Sequence, residues 1–168
     1  SCAAWIASIH RGVDVARAAG EVHVAGCTGA TSEKVVQGLF GLPDHAMLDM
    51  GDFLGGMVKY IAKHPVERLT IGGGIGKLAK AAQGAVDLHS GRSQVDFAGL
   101  AEMVGDPRLT QANTALEAYE IAGAPLALAV ADRVAARVRG MLPDTAVGVV
   151  VIDRAGEVLA RVEAARAS

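Results

Sequence analysis

Aromatic side chains are scarce in this chain: one tryptophan, two tyrosines and three phenylalanines stand among 168 residues. A sandwich centred on aromatic plugs fits that poorly, whereas the abundant alanine, valine, leucine and glycine suit tightly packed helix–sheet layers. Excess charge is lacking too. A formal net charge of −2 gives no bulk attraction to nucleic acid or to an acidic membrane, so an anionic partner has to be gripped locally. Cysteine is limited to Cys2 and Cys27, without metal-ligand or redox spacing, which suits a reduced, cytoplasmic setting. The longest apolar run, Ala124 to Ala131 (APLALAVA), stops at Asp132. It falls far short of the roughly 20 residues that cross a bilayer. No basic-then-apolar signal opens the chain. The opening "SCAAWIASIH" has no initiator methionine and starts in mid-pattern, so the expectation is a piece of a longer protein whose N-terminal part is absent.

What is present is a globular composition, 51% apolar and 20% charged, with enough residues for one domain with its own core. Three times an apolar run ends in glycine and gives way to a helical pattern. "EVHVAGCTG" precedes Thr31 to Leu39; "AMLDMGD" precedes "FLGGMVKYIAKH", closed by His64-Pro65; "RLTIGGG" precedes Ile75 to Gln83. Strand, glycine and helix in that rhythm predict an α/β fold with a parallel or mostly parallel sheet and flanking helices. Val95 to Gly105 and Thr110 to Gly123 read as short helices separated by the turn "GDPR". Pro125 opens a long helix with Ala127, Val130, Ala131, Val134, Val138 and Met141 on one face and a solvated arginine face around Arg133 to Arg139. "VGVVVID" and "EVLARV" read as a closing strand pair at the C-terminus.

The densest glycine run is "IGGGIGKLAK", Ile71 to Lys80. It fits neither the phosphate loop, which needs a glycine where Ile71 stands and a hydroxyl where Leu78 stands, nor the dinucleotide fingerprint, whose third glycine would fall on Lys77. Glycines at the carboxyl end of a parallel strand nevertheless let a ligand approach the backbone. The helix starting near Ile75 aims its positive end at the same spot. Lys77 has the wrong sign for that helix end unless an anion or carboxylate sits there. A tight turn with a solvated lysine remains the plainer alternative.

His89 and Ser90 follow, with Lys77, Lys80 and Arg92 set against Asp87. This local positive patch would grip substrate carboxylates; otherwise Ser90 caps a turn and His89 packs. The loop "GCTGATSE" offers Gly26, Thr28 and Gly29 before a helix for which Thr31 or Ser32 is the expected cap. In "DMGDF", Asp52 is expected to cap the helix from Phe53, or to accept a hydrogen bond from a ligand's ribose or amino group. Cys27 reads as a packed thiol, and the scattered histidines show no metal-ligand pairing.

The segment "IGGGIGKLAKAAQGAVDLHS" resembles the Gly-His-Ile-Gly-Lys-Leu-Ala-Lys … Thr-His-Ser stretch of the CbiD family, the cobalt-precorrin-5B carbon-1 methyltransferases of anaerobic cobalamin biosynthesis. "SIHRGVDVARAAG", "HVAGCTGATSE" and "MGDFLGGMVKYIAK" resemble that family in the same order. Gly74 stands where many members carry histidine. Family members are longer, so the likeness is to a C-terminal part.

The resemblance implies S-adenosylmethionine as methyl donor, a cobalt-containing tetrapyrrole as acceptor, and a partnership with the absent N-terminal part. On this expectation the donor takes Gly26, Thr28, Gly29, Gly72, Gly73, Gly74 and Gly76, and the acceptor's carboxylates take Lys77, Lys80, Ser90 and Arg92. Asp52 and His89 would be the catalytic or polar-positioning groups, and no metal would be held by side chains. A competing expectation is a non-catalytic anion- or tetrapyrrole-binding module; a phosphate-binding regulatory domain is a third. The state of association, including a homo-oligomer, stays open.

Overall fold

The computed structural model describes residues 1–168. Its elements run α1 (Cys2–Ala18), β1 (His23–Cys27), α2 (Ala30–Phe40), β2 (Met47–Asp49), α3 (Leu54–Lys63), β3 (Arg68–Gly74), α4 (Ile75–Ala82), α5 (Phe97–Val104), α6 (Ala115–Ala122), α7 (Ala124–Met141), β4 (Ala146–Ile152) and β5 (Val158–Ala165). The five strands form one sheet in the order β2-β1-β3-β4-β5. Every pairing is parallel except β4 with β5, which closes the sheet antiparallel. The α/β architecture expected from the three strand–glycine–helix units is therefore present.

Alternation along the strands decides which face each residue serves. Val24, Leu69, Ile71, Val147, Val149 and Val151 join the larger core with residues of α1, α3, α4, α5, α6 and α7. Ala25, Cys27, Val150 and Ile152 turn to the other face, where Val36 of α2 covers them. With both faces covered, the central strands β1 and β4 can be almost continuously apolar.

From β1 the chain crosses to β2 on one side and then to β3 on the other. Neighbouring loops therefore diverge beyond the carboxyl ends of β1 and β3 and leave a crevice, the customary ligand position in open α/β sheets.

Several local expectations need correction. Asp52 does not cap α3: the helix starts at Leu54 behind Phe53, without a side-chain cap, and the Asp52 carboxylate is engaged by Lys77. The cap of α2 is Gly29 rather than Thr31 or Ser32. Ser32 reaches back instead, accepting from the Gly29 N–H at 3.2 Å and donating to its carbonyl at 3.0 Å. The helix expected from Thr110 begins only at Ala115, because Pro107–Gln111 forms a tighter 3-10 turn. Met141 lies outside the buried stripe of α7, exposed at its end.

The arginine face of α7 is not simply solvated either. Arg137 donates to the Ala82 carbonyl at 2.9 Å, and Arg139 reaches the carbonyls of Val147, Glu163 and Ala165.

Candidate functional site

A cleft of about 1050 Å³ opens at the carboxyl edge of the sheet, at the crevice between β1 and β3. The register explains how it is assembled. Cys27, Gly72 and Val150 stand level across β1, β3 and β4, while Gly74 pairs with Ile152 beyond them. The next residues of all three strands therefore reach the same edge: Thr28-Gly29, Ile75-Gly76 and Asp153-Arg154, all lining the cleft. The Thr28 N–H donates to the Gly72 carbonyl at 3.0 Å, holding the first loop against the third strand.

Helices α2, α4 and α6 begin at this cleft. The first-turn N–H groups of a helix have no intrahelical acceptor. In α6 the Thr114 side chain supplies one, accepting from the Glu117 N–H, while Glu117 reaches back to accept from the Asn113 N–H ahead of the helix. Neither α2 nor α4 has a side-chain cap from its N-cap glycine. Two uncapped positive ends thus meet a wall carrying the hydroxyls of Thr28, Thr31, Ser90 and Ser93, a combination suited to an anionic or polyhydroxylated ligand.

The glycines expected at the site divide into two groups. Gly26, Gly72 and Gly73 are buried inside strands. A Cβ on Gly26 would lie 2.3 Å from Met57 Sδ, on Gly72 2.6 Å from Val36 Cγ2, and on Gly73 2.9 Å from the Thr28 side chain. Internal packing accounts for their lack of side chains, and none of them lines the cleft. Gly29, Gly74 and Gly76 do line it. A Cβ on Gly29 or Gly76 would meet no protein atom within 4 Å, and on Gly74 only a carbonyl at 4.0 Å. None of the three needs a positive φ. Neither packing nor backbone conformation within the chain requires glycine there.

The charged groups are partly occupied. Lys77 donates to Asp52 Oδ1 at 2.7 Å, so the carboxylate demanded by a lysine at a helix start comes from the protein itself. Lys77 and Lys80 also converge on the Leu88 carbonyl, at 3.3 and 3.0 Å. Partial burial, with the neighbouring Lys77 charge, lowers the Lys80 ammonium below its ordinary value, against an opposing pull from Asp52. Arg92 pairs with Asp87, and its hydrogen bond holds that carboxyl below the usual carboxylate range.

His89 is exposed, its Nδ1 accepting from the Gly91 N–H at 3.0 Å. Thr28, Gly29, Gly74, Gly76, Lys77, Lys80 and Ser90 thus come together around the cleft, whereas Asp52, His89 and Arg92 do not line it.

Two contributors were not anticipated. Asn113-Thr114 enters from the start of α6, signalled in the sequence by the Thr-Ala-Leu-Glu capping pattern. Arg154 comes from the β4–β5 turn, and its position follows only once β4 is known to run parallel beside β3. Cys27 is buried, and burial, reinforced by the Glu33 charge, pushes its thiol up to about 12; it is a packing residue.

The family model described as CbiD, C-terminal domain, matches residues 87–163. A cobalt-precorrin-5B C(1)-methyltransferase of Brucella anthropi is 51% identical over 96% of this chain and 48% of its own length. The proteins of that name in Brucella canis and Brucella melitensis biotype 2 are each 53% identical over 96% of the chain, covering 48% and 47% of theirs. The chain spans about half the length of these curated relatives. No solved structure matches it.

Proposed function

The chain belongs to the CbiD family, and from that premise we propose that it is the C-terminal part of a methyltransferase acting on carbon 1 of cobalt-precorrin-5B, with its cleft as the donor site. The observation that carries the donor assignment is the set Gly29, Gly74 and Gly76. These three cleft glycines are required by nothing inside the protein, and a ligand approaching the backbone gives each a reason.

S-adenosylmethionine, when bound, supplies a methyl group activated on a sulfonium. The uncapped starts of α2 and α4 would receive the donor's carboxylate, and the hydroxyls of Thr28 and Thr31 its polar atoms. Lys80 and Ser90, with Lys77 once its pairing with Asp52 is relaxed, would meet the acetate and propionate arms of the acceptor. Methyl transfer to an electron-rich ring carbon depends mainly on alignment, and holding two reactants in line supplies about 7–11 kcal/mol. Asp52 and His89 then act as positioning groups, through Lys77 and through the turn that carries Ser90. A cytoplasmic setting accords with a biosynthetic role of this kind.

A second reading is favoured by the half-length match: this part binds, and turnover needs the N-terminal half found in the relatives. Turnover by a mixture of the two halves, with none from this chain alone, would establish that division.

The donor assignment is tested by calorimetric titration of the chain with S-adenosylhomocysteine beside Gly76→Val. Micromolar binding abolished by the valine is the expected result. Binding indifferent to the valine removes the glycine argument, and no binding places the donor elsewhere.

A further inference from the structure

The turn between β4 and β5 is hydrogen-bonded within itself. Asp153 Oδ1 accepts from the Ala155 and Glu157 N–H groups, both at 2.9 Å. The Asp153 N–H donates to the Glu157 carbonyl at 3.0 Å, and the Gly156 N–H to the Asp153 carbonyl at 3.2 Å. Gly156, at φ +88°, lies so close to the first turns of α2 that a Cβ would sit 3.3 Å from Val35 and 3.4 Å from Thr31. Asp153 Oδ1 is thus engaged by its own turn and Asp153 lines the cleft beside Arg154, while Arg154 has no hydrogen-bond or ion-pair partner.

This sets Arg154 apart from the cations the sequence singled out. Lys77 is held by Asp52, Lys80 by the Leu88 carbonyl, and Arg92 by Asp87. Arg154 alone in the group is unengaged. It stands two residues past Ile152, the residue paired with Gly74, so it flanks the glycine turn on the side opposite Thr28-Gly29. The turn fixes where the Arg154 side chain starts at the cleft, and the planar fork of a guanidinium matches a carboxylate bidentately.

We infer that Arg154 is a carboxylate-binding residue of the cleft, completing from β4 a grip that Lys80 and the α4 start provide from the other wall. The inference rests on the ligand assignment above. The carboxylate could belong to an arm of the acceptor or to the donor's amino-acid end, and the test separates these.

The 168-residue chain, Arg154→Ala and Arg154→Lys are titrated with three probes. Uroporphyrin III carries an acetate and a propionate on every ring, S-adenosylhomocysteine has the donor's carboxylate, and 5′-methylthioadenosine lacks it. The alanine variant is expected to weaken one of the carboxylate probes by on the order of tenfold, with partial recovery in the lysine variant and no change for methylthioadenosine. Weakened uroporphyrin binding assigns Arg154 to the acceptor; weakened S-adenosylhomocysteine binding assigns it to the donor. Equal affinities of wild type and Arg154→Ala for both, or an equal loss with methylthioadenosine, overturn the inference and leave the ligand assignment standing. If the unmodified chain binds neither carboxylate probe, both fall together.

Discussion

Lys77 Nζ lies 2.7 Å from Asp52 Oδ1 across 25 residues of sequence, tying the first turn of α4 to the segment that leads into α3. The pair puts a negative charge where the start of α4 favours one, and it leaves the cleft less positive than its lysines suggest. Both side chains retain solvent access, 38% for Lys77 and 23% for Asp52, so the pair contributes about 1 kcal/mol or less to folding.

Asp52→Asn is therefore expected to lower stability only slightly in urea denaturation. By releasing the Lys77 charge it should tighten binding of uroporphyrin by a few fold. Unchanged or weaker binding would mean that Lys77 serves the fold and not the ligand.

The two groups of glycines should separate stability from binding. Gly72→Ala forces a methyl group to within 2.6 Å of Val36 Cγ2 between β3 and α2, an overpacking that costs about 1–3 kcal/mol. Gly76→Ala adds a methyl to open space in the first turn of α4 and should be neutral or stabilising by up to about 1 kcal/mol. Only Gly76→Ala should impair S-adenosylhomocysteine binding more than its effect on folding explains. Paired thermal melts and titrations decide the matter, and equal destabilisation by both would remove the distinction.

The pattern of these sites shows what local sequence can and cannot reveal. The first three strands were legible because Val22-Val24, Met47-Leu48 and Leu69-Ile71 are short apolar runs broken by glycine before a helical period begins. The same reasoning located the cleft through Thr28-Gly29 and Gly74 to Lys77. It did not give the place of β4, since strand order depends on how α7 packs and no residue in "VGVVVID" specifies its neighbours. Arg154 was hidden with it. Asp52 looked like a helix cap because capping is a local rule, whereas its partner Lys77 arrives through tertiary folding. Gly72 and Gly76 look alike in a string of glycines, and only the atoms around them show which one packs and which one faces the cleft.

The two cysteines should differ sharply in reactivity. The buried Cys27 thiol, pushed up to about 12 chiefly by burial, holds negligible thiolate at pH 8, and Cys2 is exposed. Ellman's reagent should titrate one thiol rapidly in the native chain and two in denaturant. A second fast thiol in native buffer would contradict the packing around Cys27.

Arg139 joins α7 to both closing strands. Its Nη2 donates to Val147 O at 2.7 Å and to Glu163 O at 3.0 Å, and its Nε to Ala165 O at 2.9 Å. The β4–β5 ladder is irregular between Val147 and Val149, so these carbonyls lie where pairing is interrupted. Arg139→Ala should cost about 1.5–3 kcal/mol, the range for hydrogen bonds made by a charged group. Arg139→Lys should recover only part of it, because an ammonium cannot reproduce the fork. A loss below about 0.5 kcal/mol in equilibrium denaturation would show that water replaces the contacts freely.

His23 gives the fold a pH dependence of defined sign. Its ring sits at the opposite edge of the sheet, Nε2 at 2.8 Å from Thr70 Oγ1. Burial first, and the Arg68 charge second, lower its pKa from 6.5 to about 4. The folded state therefore favours neutral imidazole, and between these values the unfolded chain binds more protons. The contribution is fully present above about pH 6.5 and is lost as the pH falls toward 4. At about 1.4 kcal/mol per pH unit it amounts to about 3 kcal/mol. His23→Gln keeps a polar side chain near Thr70 without a titrating proton. It should narrow the difference in unfolding free energy between pH 7 and pH 4 by most of that amount. Carboxylates contribute to acid sensitivity in both proteins, so the comparison between them isolates the histidine. Equal pH dependence in wild type and variant would mean that the ring is hydrated enough to protonate without unfolding the chain.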